Sequence, residues 1–284
     1  MHLPSAATLL GLASLLLRAP SRAQDQVELE VAWGPIASTT YRLPERFPVV
    51  RAIFEAGAAA PRASVPVESL RVLLPEAGVL ADADPGAMWT LGVDRVLPLL
   101  AKLHPGVTRR LRHAHAPPAE TARRQGGDGP PGWSAPAVEG GRATLLRSSQ
   151  EELAVLLRVH VEWELIPGEL YFLPAQFEGL LVWDRRSDRP RSLHLALPSR
   201  DTNFDLNYAD RVDIGHLPLM QVATAGAVPA GSEAEPARQR LRESFYPSAR
   251  IRWRSLAEAL ARARENGRRL HVLQLFGTFD DESC

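Results

Sequence analysis

Between Ala116 and Gly141 the chain is so rich in proline and glycine, and so poor in aliphatic residues, that it cannot bury enough apolar surface to offset its own ordering entropy. Such a stretch reads as a linker or long loop. It separates a first part, residues 24–115, from everything that follows. The 284 residues are enough for one large or two modest domains, each with its own core and no need of disulfide staples.

Beyond the linker, residues 142–245 read as β-rich. Val155, Leu157, Val159, Val161, Trp163 and Leu165 alternate with Leu156, Arg158, His160, Glu162 and Glu164, the pattern of a half-buried strand. Phe177–Trp183 and Ser192–Leu197 are apolar runs joined by the polar stretch Asp184–Pro190, which predicts an antiparallel hairpin. Asp213–Thr224 adds another strand. Together these segments predict a mainly antiparallel sheet with one wet face. The first part reads as mostly helical after a short strand at Val27–Trp33, with helical segments over Arg42–Ala60, Val65–Leu74 and Ala87–Leu103. His104-Pro105 closes the last of these, because the residue before proline disfavours the helical region.

From residue 246 the pattern changes again. Ser255 can cap a helix whose apolar positions Leu256, Ala259, Leu260 and Ala263 share a face, and Asn266-Gly267 supplies the stop. The apolar run Leu270–Phe276 then reads as a central strand covered on both faces, followed by a loop to Cys284. Cys284 is the only cysteine of the sequence. The fold class is therefore α+β, with a helical N-terminal part, a β-rich middle and a helix–strand–loop–cysteine unit over 246–284.

Charge excludes one class of partner. Thirty-three basic residues balance 33 acidic ones, so no general basic field exists to hold nucleic acid. All the basic residues but Lys102 are arginines, and together with the abundance of alanine and proline this reads as compositional background. At the N-terminus, apolar Ala6–Leu17 precedes Ser21-Arg22-Ala23, whose small first and third residues suit leader-peptidase cleavage after Ala23. Residues 1–23 are thus read as an export signal or, uncleaved, as an anchor that associates the chain with a membrane. An unpaired cysteine in an exported protein points to a reactive or intermolecular thiol.

Several segments carry a resemblance. Ser255–Leu260, Arg268–Leu273 and Phe276-Gly277-Thr278-Phe279-Asp280-Asp281-Glu282-Ser283-Cys284 resemble selenoprotein N, in which the Ser-Cys is followed by selenocysteine and glycine. Upstream, Arg158–Glu162, Pro174–Gly179 and Val212–Met220 resemble the same family in the same order. The resemblance implies a luminal, membrane-associated oxidoreductase whose C-terminal unit is the start of a thioredoxin-like domain, incomplete at Cys284. It also implies disulfide-bearing protein substrates and, in eukaryotes, a calcium pump as partner. The compartment would be the endoplasmic reticulum in a eukaryote and the periplasm in a bacterium. No cofactor is expected within the chain; a selenocysteine after Cys284, outside the sequence, would be the better nucleophile because a selenol is ionised where an ordinary thiol is mostly protonated. Cys284 would be its resolving partner, the catalytic position assigned here. The sequence given is expected to stop short of the activating helix.

Two features depart from that family. No Asn-x-Ser/Thr acceptor for glycosylation occurs, and Asp82 and Asp84 lack the glycine and closing glutamate of a calcium loop. Asp280, Asp281 and Glu282 beside the thiol would raise its pKa, so solubility is their simpler role. His104, His113 and His115 lack a completing cysteine or carboxylate and sit among Arg109, Arg110 and Arg112, so no metal site is assigned. Trp163, Trp183 and Trp253 read as packing residues. No phosphate loop, nucleotide fingerprint or serine elbow is present. The other class that fits is a non-enzymatic luminal interaction protein with a vestigial thioredoxin-like end.

Overall fold

The computed structural model describes residues 26–58, 62–75, 84–103, 111–112, 140–245 and 251–272. The leader over 1–23, nearly all of the linker 116–141, Asp82, His104, His113, His115, Asp280–Glu282 and Cys284 lie outside these residues.

Two antiparallel sheets organise the described chain, with strands numbered in chain order. The larger runs β3 (Arg62–Pro66), β1 (Gln26–Trp33), β14 (Met220–Ala223), β11 (Arg189–Ala196), β10 (Phe177–Asp184), β7 (Glu152–Val159), β6 (Gly141–Ser148), β4 (Met88–Leu91). The smaller runs β2 (Ser38–Thr39), β13 (Arg211–His216), β12 (Phe204–Tyr208), β9 (Leu170–Pro174), β8 (Glu162–Ile166), β5 (Leu111–Arg112). Six helices accompany them: α1 (Leu43–Arg46), α2 (Pro48–Ala58), α3 (Val67–Arg71), α4 (Val93–Leu100), α5 (Glu235–Phe245) and α6 (Leu256–Asn266).

The main core joins side chains of both sheets. Trp33 of β1 meets Trp163 of β8 edge-on at 6.1 Å between ring centroids, and Phe54 of α2 edge-on at 5.8 Å. Phe172 and Phe204 complete the aromatic cluster. Edge-to-face pairs of this kind add to the burial of large rings, which dominates such a core. Leu153, Val155, Leu157 and Val159 of β7 point into the same core, joined by Leu181, Leu193 and Leu195.

The predicted hairpin is present as β10–β11, with Leu181 opposite Leu193. Other expectations need correction. Residues 155–165 are two strands, not one. β7 ends at Val159, the chain crosses at His160-Val161, and β8 pairs in the other sheet. The apolar alternation continues unbroken because the chain wraps around one core and keeps the same side turned toward it. Likewise 213–224 is divided between β13 and β14 in different sheets.

The first part is less helical than its periodicity implied. β1 and β3 pair with each other, β1 also pairs with β14, and β4 pairs with β6, so all three belong to the larger sheet. Segments 62–66 and 88–91 are strands, because a free sheet edge offers short apolar segments backbone partners that propensity alone does not register. The larger sheet is also not wet on its outer face at β7. Leu156 is buried against Ala234, Ala237 and Leu241 of the α5 region, so β7 is covered on both sides. Trp163 and Trp183 are buried as expected, but Trp253 is 48% exposed and belongs to neither core cluster of the described residues. Leu270–Val272, the start of the expected C-terminal strand, form no strand; the rest of that segment lies outside the described residues.

Candidate functional site

The C-terminal unit is described as far as Val272 and is dominated by α6. Ser255 Oγ accepts from Glu258 N–H at 3.3 Å while Ser255 N–H donates to Glu258 Oε2 at 3.2 Å, a reciprocal capping box. At the other end Gly267 takes φ 61, the left-handed conformation that closes helices, and Arg268 N–H donates to the Ala263 carbonyl. No residue of α6 is buried; Leu256 and Leu260 stand exposed. The chemistry assigned to Cys284 lies beyond these residues.

The upstream segments that carry the resemblance are described in full, and two of them meet. Arg158 of β7 stands directly opposite Glu178 of β10. Its guanidinium, 1% exposed, donates from Nη1 to Glu178 Oε1 at 2.6 Å and from Nε to Gln176 Oε1. On the far side of the carboxylate, Arg238 Nε of α5 lies 3.8 Å from Glu178 Oε2. The Phe245 ring at the end of α5 sits 5.8 Å from the Arg158 guanidinium. Glu178 therefore serves two guanidiniums, and Arg238 is also paired with Glu235 at 3.3 Å. Burying such charge costs desolvation, and the charge-assisted hydrogen bonds and the ring offset that cost. His160, of the same segment as Arg158, is 3% exposed.

A small cavity of about 140 Å³ opens beside Glu178 and Arg238, with His194 and Pro198 on its walls. Burial holds the His194 imidazole below its ordinary pKa, partly opposed by a hydrogen bond with Gln221. Gly179, also on the wall, admits no side chain: a Cβ there would lie 2.7 Å from the His194 carbonyl oxygen.

The third segment serves the scaffold. Asp213 is fully buried and accepts backbone N–H groups of Tyr41 at 2.6 Å and Leu43 at 2.8 Å, fixing α1 to the smaller sheet. A Cβ on Gly215 would strike the buried Phe204 ring. Asn203 clamps Leu217 by accepting from its N–H at 2.7 Å and donating to its carbonyl at 2.6 Å. Sequence reasoning did not single out Asn203, His194 or Arg238. The arginine-rich background hid Arg238, and nothing local marks a buried asparagine.

Among the described residues no group of three or more His, Cys, Asp or Glu side chains could hold a metal ion. What the buried cluster does is anchor α5, the last helix before the C-terminal unit, onto β7 and β10.

The sequence is similar to selenoprotein N of three vertebrates. It is 26% identical to the human protein over 192 aligned residues, covering 52% of this chain and 32% of that one. To the mouse protein it is 26% identical, covering 34% of it, and to the zebrafish (Danio rerio) protein 25%, again covering 34%. The chain spans about a third of the length of these curated relatives. No family model matches it, and no solved structure matches it.

Proposed function

From this distant selenoprotein N-like relationship, we propose that the protein is a thiol/selenol oxidoreductase of an exported or luminal compartment, acting on protein disulfides. The reading is carried by the motif Phe276–Cys284, which resembles the redox motif of that family, together with the sequence relationship itself. The capped helix α6 supports it as the helix that precedes this motif. In the proposed step a selenolate borne by the residue after Cys284 attacks a substrate disulfide and forms a mixed selenylsulfide, releasing one substrate thiolate. Cys284 thiolate then attacks that selenium, releases the second thiolate, and closes an intramolecular Se–S bond. A dithiol reductant restores the pair. Substrate is reduced as the Cys284 pair is oxidised, so two electrons balance. A protein disulfide is the substrate class, and in a eukaryote a calcium pump of the endoplasmic reticulum is the proposed partner.

Intact-mass analysis of the native polypeptide tests the first requirement: a product extending past Cys284 with a selenium isotope pattern supports it, and a mass ending at Cys284 rejects the selenol pair. In the extended product, Cys284→Ser abolishes disulfide reductase turnover under the proposal; unchanged turnover rejects the resolving role.

One observation favours a second reading. Ile251, Trp253, Leu256 and Leu260 of the C-terminal unit are each exposed, and large apolar side chains left exposed suit a surface that engages another protein. A non-enzymatic interaction protein with a vestigial redox end would show no reductase turnover in the extended form.

A further inference from the structure

A cavity of about 610 Å³ lies at the other end of the larger sheet from the α5 anchor and takes no part in the redox proposal. That volume is in the range of small-molecule sites. One wall is the end of α3 and the turn after it, with Val72, Leu74 and Pro75; Leu153 of β7 and Trp183 of β10 add further apolar surface. The rim is charged: Arg71, Arg95 and Arg185 face Glu68 and Asp188, so three guanidiniums meet two carboxylates.

How the charges are used decides what the cavity can take. Arg71 absorbs both acids. Its Nη1 lies 2.6 Å from each oxygen of Asp188, its Nε lies 3.0 Å from Glu68, and its Nη2 donates to the Asp188 carbonyl at 3.1 Å. The guanidinium also stands 5.1 Å from the centre of the Trp183 ring, whose Nε1–H donates to Asp188 Oδ1 at 3.2 Å. Asp188 adopts φ 53 in the β10–β11 turn, which directs its carboxylate into this arrangement. The pairing holds Asp188 below the ordinary carboxylate range. One arginine thus engages both rim acids, the three guanidiniums of the rim outweigh the two carboxylates by one charge, and the wall is fixed by short hydrogen bonds.

Arg185 is different. Its side chain makes a single 3.3 Å hydrogen bond to Ser148 Oγ and no ion pair among the described residues, so most of its donors remain for a ligand. A planar fork with spare donors at the mouth of an apolar-walled cavity suits a carboxylate or phosphate.

We propose that this cavity binds a small organic anion, its apolar body against Leu74, Pro75 and Leu153 and its carboxylate or phosphate on Arg185. The test is NMR of the full chain labelled with nitrogen-15, following the indole Nε1–H signal of Trp183, assigned from Trp183→Phe. Benzoate and phenyl phosphate are the probes, with benzyl alcohol and inorganic phosphate as controls. The expected result is a saturable shift of the Trp183 signal with benzoate, phenyl phosphate or both, the stronger probe identifying the head group. Arg185→Ala, in an exposed turn, weakens that binding roughly tenfold and Arg185→Lys less, at unchanged unfolding midpoint. A Trp183 signal unmoved by both probes overturns the proposal. So does equal binding of benzyl alcohol, which removes the charge, or of inorganic phosphate, which removes the apolar body. Binding unaltered in Arg185→Ala overturns it as well.

Discussion

Helices α5 and α6 are both eleven residues long, yet they are held by opposite means. α5 is mostly polar, has a proline at its second position and no capping box, and buries Ala237, Leu241 and Phe245 against the larger sheet. α6 has a complete capping box and a glycine stop, and buries nothing. Local hydrogen bonds and end conformations are enough to mark where a helix begins and ends. Packing against a partner is what makes it contribute to the stability of the whole, because most helical stability in proteins comes from an apolar face being covered.

Mutations that strike each helix at its own source of stability should separate the two. The largest effect belongs to Phe245→Ala, which empties a buried site over Arg158 and should cost about 3–5 kcal/mol in urea unfolding, with Leu241→Ala about 2–5. Arg158→Ala leaves Glu178 with Arg238 alone. Because Glu178 is a quarter exposed, a cost of about 3 kcal/mol, at the low end for a broken buried pair, is expected. Gly179→Ala forces a Cβ onto the His194 carbonyl and should cost roughly 1–3 kcal/mol by the same measurement. On α6, Ser255→Ala removes a cap worth about 1 kcal/mol of local helix stability, visible as faster amide exchange in that helix, while the global midpoint stays put. Leu260→Ser should change global stability by less than about 0.5 kcal/mol. A cost for Leu260→Ser comparable to that of Leu241→Ala would break the contrast, because it would mean that α6 is packed.

The pH dependence sharpens the same boundary. His194 lies beside the α5 anchor, and burial lowers its pKa, so the folded chain binds the proton less readily than the unfolded one. The stability it contributes is present above its ordinary value of 6.5 and is lost as the pH falls through the lower folded value. His194→Gln should flatten the drop in unfolding midpoint between about pH 7 and about pH 5. A drop unchanged in that variant assigns it to other groups.

These two helices also measure how far the sequence could be read. α6 was legible residue by residue, from Ser255 through Leu256, Ala259, Leu260 and Ala263 to Asn266-Gly267, because caps and periodicity are local. α5 was not, since Ala237, Leu241 and Phe245 are too few among arginines and glutamates to mark a face until Leu156 is known to need covering. The candidate site divides in the same way. Cys284 and the segments around Arg158, Gln176 and Asp213 stood out by resemblance. That Arg158 and Glu178 share a register position, that Arg238 reaches the same carboxylate, and that Arg71 gathers both Glu68 and Asp188 depend on pairings between residues up to 117 positions apart.

By itself the sequence determined the alternation of the 155–165 stretch, the β10–β11 hairpin and the ends of α6, because each depends on neighbours within a few positions. Tertiary structure alone decided that the alternating stretch crosses between two sheets, that β1, β3 and β4 join the larger one, and that polar α5 closes over it. Those choices turn on which exposed edges and apolar faces remain to be satisfied once the rest of the chain is in place, and no local pattern records that.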